Sequence, residues 1–218
     1  MSALYRALTG ALLTVASLHA AAQSTSANIE AGQRIATSGN QQGAPACASC
    51  HGAQGEGNGT YPPLSGQVSG YLQRQLETFA NRQRKHSQMS GIAKALTAQE
   101  QADVAAYYAS LKLPLKVVQG PLPTAKDSQG AWLAERGRWE EGIPACSKCH
   151  GPAGAGVGKD FPAIAHLSAQ YMNDQIKAWN TGNREAGPLG LMGSVAKKLT
   201  PQDIEDVAAY YRSLQQAQ

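Results

Sequence analysis

The chain has 218 residues, which is enough for one large or two small domains. It carries 19 Lys and Arg against 15 Asp and Glu, a mild basic excess, and only two Phe and three Trp. The chain is therefore short of large apolar side chains with which to fill a core. Beyond residue 22 no stretch is long and apolar enough to span a bilayer, which excludes an ordinary membrane-spanning protein.

Residues 1–22 are predicted to form a signal peptide. Arg6 precedes an apolar run over residues 7–18, and the alanines at 20–22 provide a cleavage site. The run is too short to cross a bilayer, although a retained membrane anchor is an alternative. The mature chain would begin at Gln23, and we expect it to lie in the periplasm.

Two pentapeptides of the form Cys-x-x-Cys-His occupy residues 47–51 and 146–150. The two thiols of such a motif lie about one helical turn apart, so both can add to the vinyl groups of one haem while the histidine lies under the iron. We therefore predict two covalently attached haem c groups, which use all four cysteines of the chain. The predicted attachment residues are Cys47, Cys50, Cys146 and Cys149, and the predicted proximal iron ligands are His51 and His150.

The sequence contains two copies of the same series of motifs, and this internal repeat predicts two domains of the same fold. The pentapeptides recur at an offset of 99 residues, the Tyr61-Pro62 and Phe161-Pro162 pairs at 100, and the segments around the last helices at 103. Small loop insertions account for this drift. The predicted domains cover residues 23–111 and 129–218, joined by a linker over residues 112–128 that is rich in Pro and Gly.

Apolar residues at helical spacing predict an all-α fold. The last helix of each copy is the best defined, because Thr97 with Glu100 forms a capping box and Thr200 is an N-cap followed by Pro201. The other predicted helices cover residues 29–37 and 68–80 in the first copy, and 130–141 and 168–180 in the second.

Methionines are the candidates for the second axial position of each iron. Met89 and Met192 each lie eight residues before a capping threonine, in segments that we predict to be irregular. A methionine at the same place in both copies favours a sulfur ligand. Met172 lies on the apolar face of a predicted helix and is expected to pack in the core. His86 is an alternative ligand in the first copy, but we expect it to be solvated in the basic run 82–86, a candidate docking face for an acidic partner.

Each proximal histidine needs an acceptor for its other ring N–H. Pro63 and Pro162 each lie 12 residues beyond a motif histidine and could supply a backbone carbonyl. On spacing alone, these prolines could equally serve only to stiffen a loop.

An iron with His on one face and Met on the other has no open coordination position and transfers single electrons. We therefore predict an electron-transfer protein and not an enzyme. Two propionates per haem would cancel the basic excess, so nucleic acid is not an expected partner. The expected partners are redox proteins, and peripheral membrane association stands as an alternative to free diffusion.

Over nearly all of its mature length, the chain resembles the dihaem cytochromes c4. The resemblance rests on the duplicated pentapeptides, on Met-x-x-x-Ala-x-x-Leu-Thr at residues 89–97 and 192–200, and on Val-Ala-Ala-Tyr-Tyr at residues 104–108 and 207–211. It implies two all-α lobes related by a pseudo-twofold axis, haems near the interface of the lobes, and delivery of electrons toward a terminal oxidase. It also supports Pro63 and Pro162 as the carbonyl partners of the histidines.

Three other interpretations remain at this point. The cysteines could form a zinc ribbon or a pair of dithiols, which explains neither the histidines nor the duplicated methionines. A dihaem peroxidase would need one iron with a vacant or displaceable position. The third interpretation keeps the haem chemistry but makes the chain the cytochrome subunit of a periplasmic dehydrogenase that oxidises alcohols or sulfur compounds.

Overall fold

The structure is a computed structural model that describes residues 26–112, 115–118 and 128–217. The predicted signal peptide and most of the predicted linker lie outside these residues. Two sets of five helices follow one another along the chain, which confirms the all-α fold class. The helices are α1 Ile29–Ser38, α2 Ala48–His51, α3 Ser69–Ala80, α4 Met89–Lys94, α5 Ala98–Ser110, α6 Gln129–Glu135, α7 Ser147–His150, α8 Ala169–Asn180, α9 Leu191–Ala196 and α10 Pro201–Ser213.

Three short 3-10 helices and two short strands complete the fold. The 3-10 helices are Trp139–Glu141, Pro152–Gly154 and Pro188–Gly190. The strands β1 Leu115–Val117 and β2 Gln215–Ala217 pair antiparallel, with Leu115 opposite Ala217. The predicted linker therefore contributes a strand that lies against the C-terminal end of the chain. In the described part of the chain, no helix combines the length and apolar character that crossing a membrane requires.

The caps of the last helices are confirmed. The Thr97 side chain accepts the backbone N–H of Glu100, whose carboxylate accepts the N–H of Thr97 in return. Thr200 caps α10 in the same way, with Asp203 as its partner. The reciprocal bonds satisfy backbone donors that the first turn of a helix leaves free.

The first and last helices of each lobe cross at a glycine. A Cβ atom built on Gly32 of α1 would lie 2.0 Å from the carbonyl oxygen of Asp103 in α5. Gly130 of α6 lies equally close to the carbonyl of Asp206 in α10, also at 2.0 Å. Because these positions carry no side chain, the two backbones can touch. This contact fixes how the first and last helices of each lobe pack against each other.

Two sequence-based boundaries need correction. The helix predicted over residues 130–141 ends at Glu135, because Gly137 has a φ of +77° and turns the chain before the 3-10 helix. The segments before the last helices are helical, not irregular: Met89 is the first residue of α4, and Met192 lies in the first turn of α9. Six-residue helices are short enough that their apolar spacing does not stand out from the flanking sequence.

Each lobe has its own apolar core, and a motif cysteine borders it. In the first lobe Tyr108 is fully buried, and Cys47 packs against the same cluster. In the second lobe Tyr211 and Ile143 are fully buried, and Cys146 packs against them. The motif cysteines therefore lie at the inner edge of each core, where an apolar cofactor would extend it.

The two lobes touch through backbone and side chains. The backbone N–H of Lys85 donates to the carbonyl of Asn183 at 2.7 Å, and the N–H of Glu185 donates to the carbonyl of Gln83 at 2.9 Å. Between these bonds Arg84 and Arg184 form an antiparallel bridge. The corresponding loops of the two copies thus meet each other across the interface.

Candidate haem sites

The motif cysteines lie on one helical turn in both lobes. The N–H of His51 donates to the carbonyl of Cys47 at 3.0 Å, and that of His150 donates to the carbonyl of Cys146 at 2.9 Å. No disulfide joins any two of the four cysteines. Burial raises the pKa of Cys47 to about 11 and that of Cys146 to about 12, which shows how closely apolar groups surround these two sulfurs. This geometry presents two sulfurs and a histidine to one side of each motif.

Each motif histidine is oriented by a proline carbonyl, as a ligand to iron requires. The Nδ1 atom of His51 lies 2.8 Å from the carbonyl oxygen of Pro62, and that of His150 lies 2.7 Å from the carbonyl of Pro162. The carbonyl can only accept, so Nδ1 carries the proton and Nε2 keeps its lone pair free for a metal.

The prediction for Pro63 is wrong, whereas that for Pro162 is confirmed. Pro62 is the residue that aligns with Pro162 in the repeat, since both follow the aromatic residue of the loop. The second lobe has one more residue between its motif histidine and this aromatic residue, so equal spacing from the histidines selects the wrong proline in the first lobe. Repeat alignment is the better guide.

Burial keeps both motif histidines neutral. It lowers the pKa of His51; the hydrogen bond to Pro62 opposes this effect, and His86 adds to the lowering. It also lowers the pKa of His150, again against the bond to the proline. Neutral imidazole is the form that coordinates a metal.

In the second lobe the predicted site residues line one cavity of about 610 Å³. Cys146, Cys149 and His150 lie on its wall, and so does Met192. The rest of the wall is mostly apolar, with Ile164, Ile176, Leu199 and Val207 among its side chains. A cavity of this size, apolar with a few polar groups, suits a flat aromatic cofactor.

Two further side chains of the second lobe lie near the motif cysteines or in the cavity wall. Tyr211 belongs to the core cluster against which Cys146 packs, and its buried hydroxyl has no hydrogen-bond partner among the described residues. Met172 packs against both core clusters of the lobe, as predicted, and also lines the cavity. The residues present therefore fit a covalently bound haem.

In the first lobe the structure places the candidate ligands on the corresponding elements. Met89 is half-buried at the start of α4, and Ile92 of the same helix packs in the cluster that Cys47 borders. His86 is exposed, as predicted, and its Nδ1 lies 3.3 Å from the backbone nitrogens of Gln88 and Met89.

The zinc interpretation does not match this arrangement. Among the residues that the structure describes, no three His, Cys, Asp or Glu side chains are grouped to hold a metal ion. The two cysteine pairs border the cores of different lobes, so four thiols do not meet at one point.

The sequence analysis missed a polar cluster at the interface. Arg84 is only 7% exposed and is engaged with the second lobe, so the run 82–86 is not a continuous docking face as predicted. Arg184 is buried to the same extent on the other side. The repeat offers the missing indication, because Arg84 and Arg184 correspond to each other at the same offset as Tyr71 and Tyr171.

Comparison with known proteins agrees with this architecture. The sequence model of the cytochrome c family matches the chain twice, over residues 29–112 and 142–215. Cytochrome c4 of Pseudomonas aeruginosa is 34% identical over 177 residues, which cover 80% of this chain and 86% of the relative. The chain belongs to the dihaem cytochrome c4 family. As a member it binds two haem c groups covalently and transfers electrons.

Two solved structures are similar to this cytochrome. Reduced cytochrome c4 from Pseudomonas stutzeri matches with a TM-score of 0.71 and 32% identity, over 86% of this chain and 99% of that one. A thiosulfate dehydrogenase from Marichromatium purpuratum matches with a TM-score of 0.74 and 39% identity, over 84% of this chain. The match covers only 39% of the dehydrogenase chain.

A further relative of this cytochrome is named for its partner. The thiosulfate dehydrogenase electron acceptor of Thiomonas intermedia is 46% identical over 170 residues, which are 77% of each chain.

Proposed function

We propose that this cytochrome accepts single electrons from a thiosulfate-oxidising dehydrogenase in the periplasm and passes them toward a terminal oxidase. The donor is suggested by the relative from Thiomonas intermedia and by the similar part of the Marichromatium purpuratum enzyme. The acceptor follows from the resemblance to cytochrome c4. The two statements concern opposite ends of one electron path and are compatible.

The proposal assigns a role to each site residue. The four motif cysteines would form the thioether bonds, and the two motif histidines would bind iron through Nε2, since Nδ1 donates to a proline carbonyl. Met89 and Met192 would supply the sulfur ligands of the two irons. The haem supplies the one-electron chemistry, and the chain holds it, keeps water out and tunes its potential.

The observation that carries the proposal is the shared cavity of His150 and Met192 in the second lobe. If His150 and Met192 both bound the iron, no coordination position would remain for a substrate, which argues against the peroxidase interpretation. We infer that the chain is a carrier and has no catalytic residues of its own.

The wider organisation is part of the same proposal. We place the two domains over residues 23–111 and 129–218, and the two matches to the cytochrome c family, over residues 29–112 and 142–215, support a division into two copies. A signal peptide over residues 1–22 and a periplasmic location fit covalent haem attachment, which in bacteria takes place outside the inner membrane.

Rapid mixing tests the donor. The oxidised cytochrome is mixed with purified thiosulfate dehydrogenase and thiosulfate, and reduction is followed by the haem absorption. We expect rapid reduction that requires both the enzyme and thiosulfate. Thiosulfate alone is the control and should give no comparable rate. Reduction at the rate of the control would refute the proposed donor and leave the electron-carrier function standing.

A bound subunit is the second candidate, favoured by the Marichromatium purpuratum structure, in which a chain more than twice as long contains the similar part. Size-exclusion chromatography of the protein at its native abundance separates the two candidates. Elution of the cytochrome by itself supports a free carrier, whereas co-elution with a dehydrogenase supports the subunit.

A further inference from the structure

Two arginines meet at the interface of the lobes in a reciprocal arrangement. Arg84 of the first lobe donates to Gln75 of its own lobe at 2.8 Å and to the Tyr171 hydroxyl of the second lobe at 2.9 Å. Arg184 mirrors it, donating to Gln175 at 2.9 Å and to the Tyr71 hydroxyl at 2.9 Å. Each guanidinium thus joins both lobes.

These two cations are buried without an opposite charge. Arg84 and Arg184 are each 7% exposed, and no carboxylate forms an ion pair with either in the described part of the chain. Their hydrogen-bond partners are neutral, and each guanidinium lies over an aromatic ring, 4.4 Å from the centre of Phe79 and 4.1 Å from that of Trp179. Arginine stays protonated in proteins, and two buried positive charges close together are costly unless an anion compensates them.

The pKa of the neighbouring Tyr71 responds to the positive charge of the two arginines. Burial alone would raise the pKa of Tyr71, but the charges of Arg184 and Arg84 outweigh it and lower that pKa. The cluster therefore favours an added negative charge.

Both guanidiniums also line the cavity that contains Cys146, His150 and Met192. The cofactor of this cavity carries two carboxylates on one edge of an otherwise apolar ring. A carboxylate matches the forked geometry of a guanidinium, and its negative charge would compensate the positive charge of the two arginines.

We propose that Arg84 and Arg184 form one cationic site, shared by the two lobes, that binds haem carboxylates and raises the reduction potentials of both haems. The proposal rests on the haem sites described above. A fixed positive charge favours the ferrous state, because reduction removes one unit of positive charge from the iron. Since the site is built from both lobes, each haem senses a residue of the other half of the molecule.

Potentiometric titration of the haem-loaded protein, followed by absorption, tests this site. Arg84→Gln and Arg184→Gln should each lower both midpoint potentials, and a tenfold weakening of reduction corresponds to about 59 mV for one electron. Arg84→Lys keeps the charge and should retain most of the potential. A merely structural role predicts that the Lys and Gln variants behave alike.

The matched control removes the same charge from a neighbouring side chain that is exposed. Arg82 is exposed and does not line the cavity. Arg82→Gln should leave both potentials within error of the native values, because water and salt screen an exposed charge. An equal fall in this control, or unchanged potentials in both single Gln variants with native haem content, would overturn the proposal.

A measurement on the native protein covers the case in which the Gln variants do not accumulate with haem. The reduced-minus-oxidised infrared difference spectrum is recorded with and without ¹³C-labelled arginine. We expect isotope-sensitive guanidinium bands, because the site responds to the charge on iron. A spectrum without such bands would contradict the proposal, while the c-type absorption of the same sample shows that the haem sites themselves are intact.

Discussion

The side-chain amide of Gln67 in the first lobe holds the backbone of Ala163 in the second. Its Nε2 donates to the carbonyl of Ala163 at 2.9 Å, and its Oε1 accepts the N–H of Ala163 at 2.7 Å. Both groups are buried. Ala163 directly follows Pro162, whose carbonyl accepts the hydrogen bond from the Nδ1–H of His150. A residue of the first lobe therefore fixes the loop that orients the proximal histidine of the second.

Replacing Gln67 should destabilise the second haem site from outside its own lobe. Gln67→Leu leaves the N–H and carbonyl of Ala163 buried without partners, which costs roughly 1–3 kcal/mol. We expect a lower unfolding temperature in thermal melts followed by haem absorption. The matched control is Gln73→Leu, because the Gln73 amide bonds only to Glu77 on an exposed helix surface. That change should stay within about 0.5 kcal/mol of the native stability.

The proposed sulfur ligands can be tested one lobe at a time. Met89→Ala and Met192→Ala should each remove about half of the weak far-red band that sulfur-to-iron charge transfer gives in the ferric protein. Each variant should also acquire one iron that binds carbon monoxide. Met172→Ala is the control within the second lobe and should keep the full band. An unchanged band in Met89→Ala would favour His86 as the ligand in the first lobe.

Acid should weaken the second lobe through Asp203. Hydrogen bonds from Arg138 lower the pKa of Asp203 to about 2, below the value of about 3.9 that an aspartate has in an unfolded chain. A lowered pKa in the folded state stabilises the fold above about pH 4, and this stabilisation is lost as the pH falls toward 2.

Asp203→Asn should therefore cost about 2 kcal/mol near neutral pH and flatten the acid dependence of unfolding between pH 4 and 2. Denaturant unfolding at a series of pH values measures both effects. Glu100→Gln in the first lobe is the comparison, since its carboxylate has the neutral partner Asn40 in place of an arginine. We expect a smaller loss there. An unchanged acid dependence in Asp203→Asn would show that another group controls it.

The helix crossings should not tolerate a side chain. Gly32→Ala and Gly130→Ala each force a methyl group against a backbone carbonyl, whose oxygen lies 2.0 Å from the place that the new Cβ atom would take. Overpacking of this kind typically costs about 1–3 kcal/mol, which is the loss that we expect in chemical denaturation. Gly91→Ala is the control, because Gly91 lies in a helix with open space around it. It should be neutral or slightly stabilising.

Local features of this fold were predictable from the sequence. The threonine caps and the hydrogen bond of His150 to Pro162 follow from residues close in sequence, whereas equal spacing from the histidine selected Pro63 in place of Pro62 in the first lobe. Their geometry is fixed within one turn or one loop, so the residue types suffice to indicate it.

Contacts between the lobes were not predictable in the same way. Gln67 meets Ala163 across 96 residues, and Arg84 meets Tyr171 across 87. The repeat pairs Arg84 with Arg184, but it does not say that these side chains face the other copy. Arg84 lies in a basic run, which favoured a solvated surface, and only the folded interface shows that it is buried. The helix that begins at Met89 was not predictable either, because its six residues do not stand out from the flanking sequence.

Carbon monoxide binding to the reduced native protein tests the central claim most directly. If His and Met close both irons, carbon monoxide should leave the absorption spectrum of the reduced haems unchanged at neutral pH. Ready formation of a carbon monoxide adduct at either haem in the native protein would contradict the account, because an accessible iron position is what a substrate-binding enzyme needs and a carrier of single electrons lacks.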